Sequence, residues 1–325
     1  MMPYANAAAD AGMRVVHLAD GLPEELRGSA VAVGNFDGVH RGHRAVIGEA
    51  GRIARAGGLP WTVLTFEPHP RGVLRPDQPP FRLTPVRTKA RAIGAMGVQA
   101  MIVVRFDPAF SRRPATSFVE DILADGLGAR HVVCGYDFVF GHNREGDSEL
   151  LLHLGRRFGF GFTCVQQVCD EEGRPYSATR VREHLTAGDT AGAARILGRP
   201  FELEGPVEEG DRRGRTIGFP TANVRLADYL QPALGVYAVR AGIDEGPATV
   251  WRDGVANLGH RPTFGGNEVL LESHLFDFDG DLYDRHLRVQ LIDHLRAERT
   301  FDGINALRAQ IAADAAQARR ALAAA

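Results

Sequence analysis

Lysine is almost missing from this chain. Of 38 basic residues among 325, one is a lysine, Lys89, and the rest are arginine. The common phosphate loop needs Gly-Lys-Ser/Thr, but Lys89 sits in Arg87-Thr88-Lys89-Ala90, so that route to a nucleotide is excluded. A lysine Schiff base is nearly excluded with it. Cysteine is scarce as well. Cys134, Cys164 and Cys169 form an odd set with no C-x-x-C, which argues against a disulfide framework or a cysteine-rich zinc site. No stretch approaches the roughly 18 uninterrupted apolar residues of a spanning helix. Residues Met1 to Gly12 lack a cationic start and an apolar block of signal-peptide length. These absences read as a cytoplasmic protein with no membrane partner. A net charge of -2 leaves no basic field that asks for nucleic acid. What remains is ordinary globular material, 44% hydrophobic and 24% charged. At roughly 150 residues per domain, two domains are expected.

The two halves differ in pattern. In the first, short apolar runs (Ser29 to Val33, Trp61 to Phe66, Met101 to Phe106, His131 to Tyr136, Phe162 to Val168) alternate with helical stretches. Thr84-Pro85 reads as N-cap and first residue of one such helix. Alternation of this kind predicts crossover units and a parallel sheet covered on both faces, with ligands outside the carboxyl ends of the strands. After two short helices (Ala178 to Thr186 and Thr190 to Leu197) the second half reads as strands. These are Phe201 to Val207, Gly235 to Ala241, Thr249 to Leu258, Val269 to Phe276 and His286 to Leu295. An alanine-rich helix from about Phe301 follows, with Ile304, Leu307 and Ile311 on one stripe. The expectation is an α/β domain over 13–187 and an antiparallel barrel with a C-terminal helix over 188–325.

Two constellations carry chemistry. The first is Gly34-Asn35-Phe36-Asp37-Gly38-Val39-His40-Arg41-Gly42-His43, after the first strand and opening the first helix. Glycines let backbone approach a phosphate, and a helix N-terminus offers free N–H groups with partial positive charge. His40 and His43 are three apart, so both imidazoles can face the same phosphates. Gly42 between them leaves room where a nucleotide would lie. This suits electrostatic stabilisation at an α-phosphate.

The second is Gly210-Asp211-Arg212-Arg213-Gly214-Arg215-Thr216-Ile217-Gly218-Phe219-Pro220-Thr221-Ala222-Asn223. Its glycines and arginines make a cationic, amide-rich loop able to cradle a polyphosphate without lysine. Thr221 and Asn223, one residue apart on extended chain, place two hard oxygens on one face, as Mg²⁺ prefers. Glu272 stands in an apolar strand, Leu270 to Phe276. A carboxylate there either pairs in a salt bridge or serves a site.

Together these motifs resemble the bacterial bifunctional riboflavin kinase/FMN adenylyltransferases (FAD synthetases). The first is a variant of the H-x-G-H signature of nucleotidylyltransferases. Gly-Phe-Pro-Thr-Ala-Asn (218–223) matches the riboflavin kinase signature. Thr65-Phe66-Glu67-Pro68-His69-Pro70, Gly135 to Gly141 and Ser177 to Arg182 match in the same order. The resemblance implies a Rossmann-like nucleotidylyltransferase domain and a Greek-key barrel domain. It also implies ATP, riboflavin, FMN and FAD as substrates and products, with Mg²⁺ as cofactor and no obligate protein partner. By it, His40 and His43 grip ATP phosphates, with Gly34, Asn35, Phe36, Asp37 and Gly38 at the nucleotide and Thr179 and Arg180 on phosphates. Asp137, Phe138 and Phe140 meet the flavin, although core packing is an equal reading for either phenylalanine. Gly210, Gly214, Arg215, Gly218 and Pro220 hold the second ATP, Thr221 and Asn223 the metal, and Glu272 is the base for the ribityl 5′-hydroxyl. One departure is Ser177-Ala178, where the family usually has two serines. Two alternatives stay open here: a single active half, or a flavin-binding regulator that keeps the ring-binding loops without catalysis.

Overall fold

The computed structural model describes residues 12–208, 219–263 and 266–325. The chain forms two compact units: residues up to Gln78 with Thr84–Ser177, and Pro79–Leu83 with Ala178–Ala325.

The first unit contains β1 (Arg14–His17), β2 (Ala30–Val33), α1 (Arg41–Gly57), β3 (Trp61–Glu67), α2 (Pro70–Leu74), α3 (Val86–Gly94) and β4 (Ala100–Arg105). There follow α4 (Ala115–Phe118), continued by a π-helical segment Val119–Gly126, then β5 (His131–Gly135), α5 (Ser148–Phe158) and β6 (Gly161–Val165). The strands form one parallel sheet in the order β1-β4-β3-β2-β5-β6. Alternate residues serve opposite cores, as the two-residue period requires. Val31, Val33, Leu64, Ile102 and Cys134 join one cluster, and Ala32, Val63, Met101, Val103 and Val133 the other. The chain winds one way from β2 and the other way to β5, so the switch point lies between them. The loops leaving β2 and β5 therefore open at the place where such sheets bind ligands.

The second unit contains α6 (Ala178–Thr186), α7 (Thr190–Leu197), β7 (Phe201–Glu208), β8 (Ala222–Arg225), β9 (Gly235–Ile243), β10 (Arg252–Thr263), β11 (Gly266–Leu275), β12 (His286–Arg296) and a last helix, here α8 (Ile304–Ala324). Its strands close into an antiparallel barrel in the order β10-β11-β8-β7-β12-β9. Directly opposed residues share a face, and the row Leu258, Leu271, Val224, Val207 is buried throughout. The units divide before α6 because α6 belongs with α7. Asp189 accepts the Gly192 N–H that caps α7 (2.7 Å) and also meets His184 Nδ1 of α6 at 2.8 Å. Pro79–Leu83 joins the same unit. Arg182 donates to the Phe81 carbonyl, and the Arg82 carbonyl accepts from the Leu230 N–H.

Three local readings need correction. Thr84 is not the N-cap of α3. Pro85 takes that place without a side-chain cap, because the Thr84 hydroxyl is used elsewhere, as described below. Strands β1 and β8 carry too little apolar alternation to be read from sequence. Finally, the buried stripe of α8 is Asp314, Ala318 and Leu322, while Ile304 is 55% exposed. Asp314 is drawn in by Arg296 of β12, whose Nε and Nη2 both reach its carboxylate (3.0 and 2.7 Å), and by the Gln310 amide at 2.6 Å. Breaking a buried pair strands the remaining charge. Asp314→Ala is therefore expected to cost about 3 kcal/mol in denaturant unfolding. A loss under about 1 kcal/mol would mean the pair is not what docks α8.

All three cysteines are free thiols, with Cys134 buried. Burial pushes the Cys134 thiol up to about 12, which makes it an inert core residue. No helix among the described residues is long and apolar enough to cross a membrane.

Candidate functional site

In the first unit the site is built on the loop from β2 to α1. Phe36 and Val39 have left-handed backbone (φ +48° and +45°) although neither is glycine. Their side chains are buried in the core, and within residues 34–40 Asn35 is the exposed one. Asp37 is expected at the nucleotide, but its carboxylate faces inward. It is 3% exposed and accepts the Thr84 N–H at 3.0 Å. The Thr84 hydroxyl accepts the Gly38 N–H at 2.8 Å and lies 3.4 Å from Asp37 Oδ1. Thr84 thus spends its hydroxyl on this loop, which explains the missing cap on α3.

His40 is the N-cap of α1, with Nδ1 accepting the His43 N–H at 3.2 Å. An accepting Nδ1 is unprotonated in the neutral ring, so the ring proton is on Nε2 and that edge is a donor. The His40 and His43 rings stack at 3.5 Å between centroids. A Cβ at Gly42 would stand 3.1 Å from His40 Cε1 and 3.3 Å from the Tyr176 carbonyl, so the glycine leaves room for the His40 ring.

The second loop at the switch point follows β5. Tyr136 and Val139 expose large apolar side chains, and Asp137 is exposed beside them. Phe138 stacks on Phe140 at 5.5 Å. Phe140 is buried and also packs on Phe118 at 5.3 Å. Core packing therefore describes Phe140, while Phe138 is half-buried above it.

In the barrel, one cross-strand row collects the polar candidates. Asn257, Glu272, Asn223 and Glu208 are successive register partners on β10, β11, β8 and β7. They share the face opposite the buried row around Leu271. Glu272 is exposed between Leu271 and Ser273, both buried. Asn223 is 7% exposed, and its Oδ1 is buried with no hydrogen-bond partner among the described residues. Leaving such an atom unmatched costs roughly 1–3 kcal/mol. A site that keeps it asks for a donor or a cation there. Thr221, two residues earlier, is half-buried on the same face. His274, which has no assigned role in the sequence, donates from Nδ1 to the Pro220 carbonyl (2.8 Å) between Phe219 and Phe276. It holds the entry to β8; the period-two spacing from Glu272 is the signal that shows it. Gly210, Gly214, Arg215 and Gly218 lie outside the described residues. Thr179 is exposed and Arg180 half-buried in the first turn of α6.

Comparison with known proteins finds one family in each part of the chain. Residues 22–180 match the FAD synthetase family and residues 197–322 the riboflavin kinase family. The bifunctional riboflavin kinase/FMN adenylyltransferase of Escherichia coli (strain K12) is 43% identical over 308 residues, 94% of this chain and 96% of that protein. The protein of that description from Bacillus subtilis (strain 168) is 37% identical over 317 residues, 95% of this chain and 98% of its own. A solved Streptococcus pneumoniae structure described as a macrolide-efflux protein has a TM-score of 0.80 at 31% identity, covering 93% of this chain and 97% of that one.

Proposed function

This chain belongs to the bifunctional riboflavin kinase/FMN adenylyltransferase family, and from that premise we propose how its own residues divide the two reactions. It phosphorylates riboflavin with ATP to give FMN and ADP. It also joins FMN to the adenylyl group of ATP, giving FAD and pyrophosphate. In sequence terms the adenylylating half is 13–187 and the kinase half 188–325. The transport description of the Streptococcus pneumoniae protein is not carried over, because the matches along both halves are to the flavin enzymes.

In the adenylylating half, the FMN phosphate attacks the ATP α-phosphorus and pyrophosphate leaves. His40 and His43 face the developing charge, the Nε2–H of His40 as a fixed donor, with the Phe36 amide of the loop beside them. Asp37 serves by holding the loop. Asp137 and Phe138 receive the flavin ring, with Phe140 as the support beneath.

In the kinase half, Glu272 accepts the proton of the ribityl 5′-hydroxyl as that oxygen attacks the γ-phosphorus. The observation that supports this most is its place opposite Asn223, whose buried Oδ1 awaits a partner. Thr221 and Asn223 supply hard oxygens that fit Mg²⁺. The ion would neutralise phosphate charge when bound. Asn223→Ala is expected to raise the Mg²⁺ concentration giving half-maximal riboflavin phosphorylation by roughly tenfold or more. An unchanged metal titration in a folded variant would remove Asn223 from the metal site. The free thiols accord with a cytoplasmic location.

The test of the whole reading is product chromatography. Riboflavin with MgATP should yield FMN and then FAD, and FMN with MgATP should yield FAD directly. Flavin binding with neither product would leave a regulator instead.

A further inference from the structure

We infer that Lys89, acting through Thr65, is a positioning residue for FMN adenylylation, holding the peptide between Asn35 and Phe36 in the orientation the phosphate loop requires. The inference rests on the assignment of that loop to the ATP phosphates. Lys89, the chain's sole lysine, is 0% exposed in α3. Its Nζ donates to Glu67 Oε1 at 2.8 Å and to Thr65 Oγ1 at 3.3 Å. The Thr65 hydroxyl in turn donates to the Asn35 carbonyl at 3.2 Å. A buried ion pair is weak evidence for stability, since an apolar pair of similar volume often serves as well. Its place at the end of a hydrogen-bond chain leading to the loop suggests a second use.

That use follows from the backbone. Phe36 and Val39 both sit in the left-handed region, at a cost of order 1–3 kcal/mol each. Such a conformation persists only when its surroundings over-determine it. From one side it is held by Thr84, through Asp37 and Gly38. From the other side the contact is Thr65 on the Asn35 carbonyl. In a trans peptide the N–H points opposite to the C=O. Drawing the Asn35 carbonyl toward β3 therefore turns the Phe36 N–H away from β3. The ammonium polarises the Thr65 O–H and strengthens its donation. Lys89 touches no substrate in this scheme; it aims an amide.

The test is steady-state kinetics of the full chain. Thr65→Val keeps the shape and removes the hydroxyl, and Thr65→Ser restores it. Thr65→Val should lower kcat for FAD formation roughly 10- to 100-fold, with KM for ATP and FMN moving far less, and Thr65→Ser should return most of the rate. Lys89→Met leaves a buried carboxylate, so it is read beside Lys89→Met/Glu67→Gln. The double variant should regain the melting temperature yet remain slow. Riboflavin phosphorylation by the same samples should be unchanged. Full kcat in Thr65→Val, or a double variant that recovers rate together with melting temperature, overturns the inference. If the unaltered chain makes FMN but no FAD, the loop assignment itself falls, and the inference with it.

Discussion

Glu272→Gln is expected to lower kcat for riboflavin phosphorylation by about a thousandfold while FMN is still converted to FAD at the unaltered rate. A positioned base contributes roughly 10²- to 10⁴-fold, and the amide keeps the size of the carboxylate while losing its affinity for a proton. The strand is not at risk. Glu272 is exposed, with buried Leu271 and Ser273 on either side to keep β11 in register. Substrate affinity should change little, because the carboxylate acts on the proton rather than on the ring or the phosphates. The measurement is paired: ADP release with riboflavin as substrate, and pyrophosphate release with FMN. Loss of both activities from a folded sample would show that the two sites are not divided as proposed.

The opposite result is expected from His40→Asn/His43→Ala. FAD formation from FMN should fall at least about a thousandfold, with riboflavin phosphorylation intact. Single preorganised donors to developing charge are worth roughly 10²- to 10³-fold, and groups acting as a unit are not additive. Asparagine is chosen at position 40 because His40 caps α1 through Nδ1. Asparagine is a strong N-cap, so about 1 kcal/mol of helix stability that alanine would lose is kept. A decline caused only by a frayed helix would then be small. If the double variant still forms FAD at the normal rate, the imidazoles only build the start of α1.

The two local motifs were legible for a physical reason. Holding a phosphate needs glycines, amides and a few donors that are neighbours in the chain, so the chemistry proposed for Gly34 to His43 and for Gly210 to Asn223 is written in consecutive residues. Strand and helix order was legible because burial on one or two faces imposes a period. Strands β1 (RVVH) and β8 (ANVR) were not, since four residues with polar or charged ones among them show neither a period nor the unbroken apolar run that marks β2 (AVAV).

Composition and motif spacing by themselves determined what the chain lacks and how its halves differ: a nearly lysine-free chain with an alternating first half and a strand-rich second half, for which nucleotide binding by imidazole, amide and arginine is the proposal. Tertiary structure alone decided the partners. It set Asp37 on Thr84, Gly42 beside the His40 ring, Lys89 behind Thr65, Asp314 against Arg296, and Glu272 level with Asn223. Periodicity tells which face a residue takes, but not what stands across from it. That depends on register and packing between segments tens of residues apart, where one step along a strand moves every side chain to the other face.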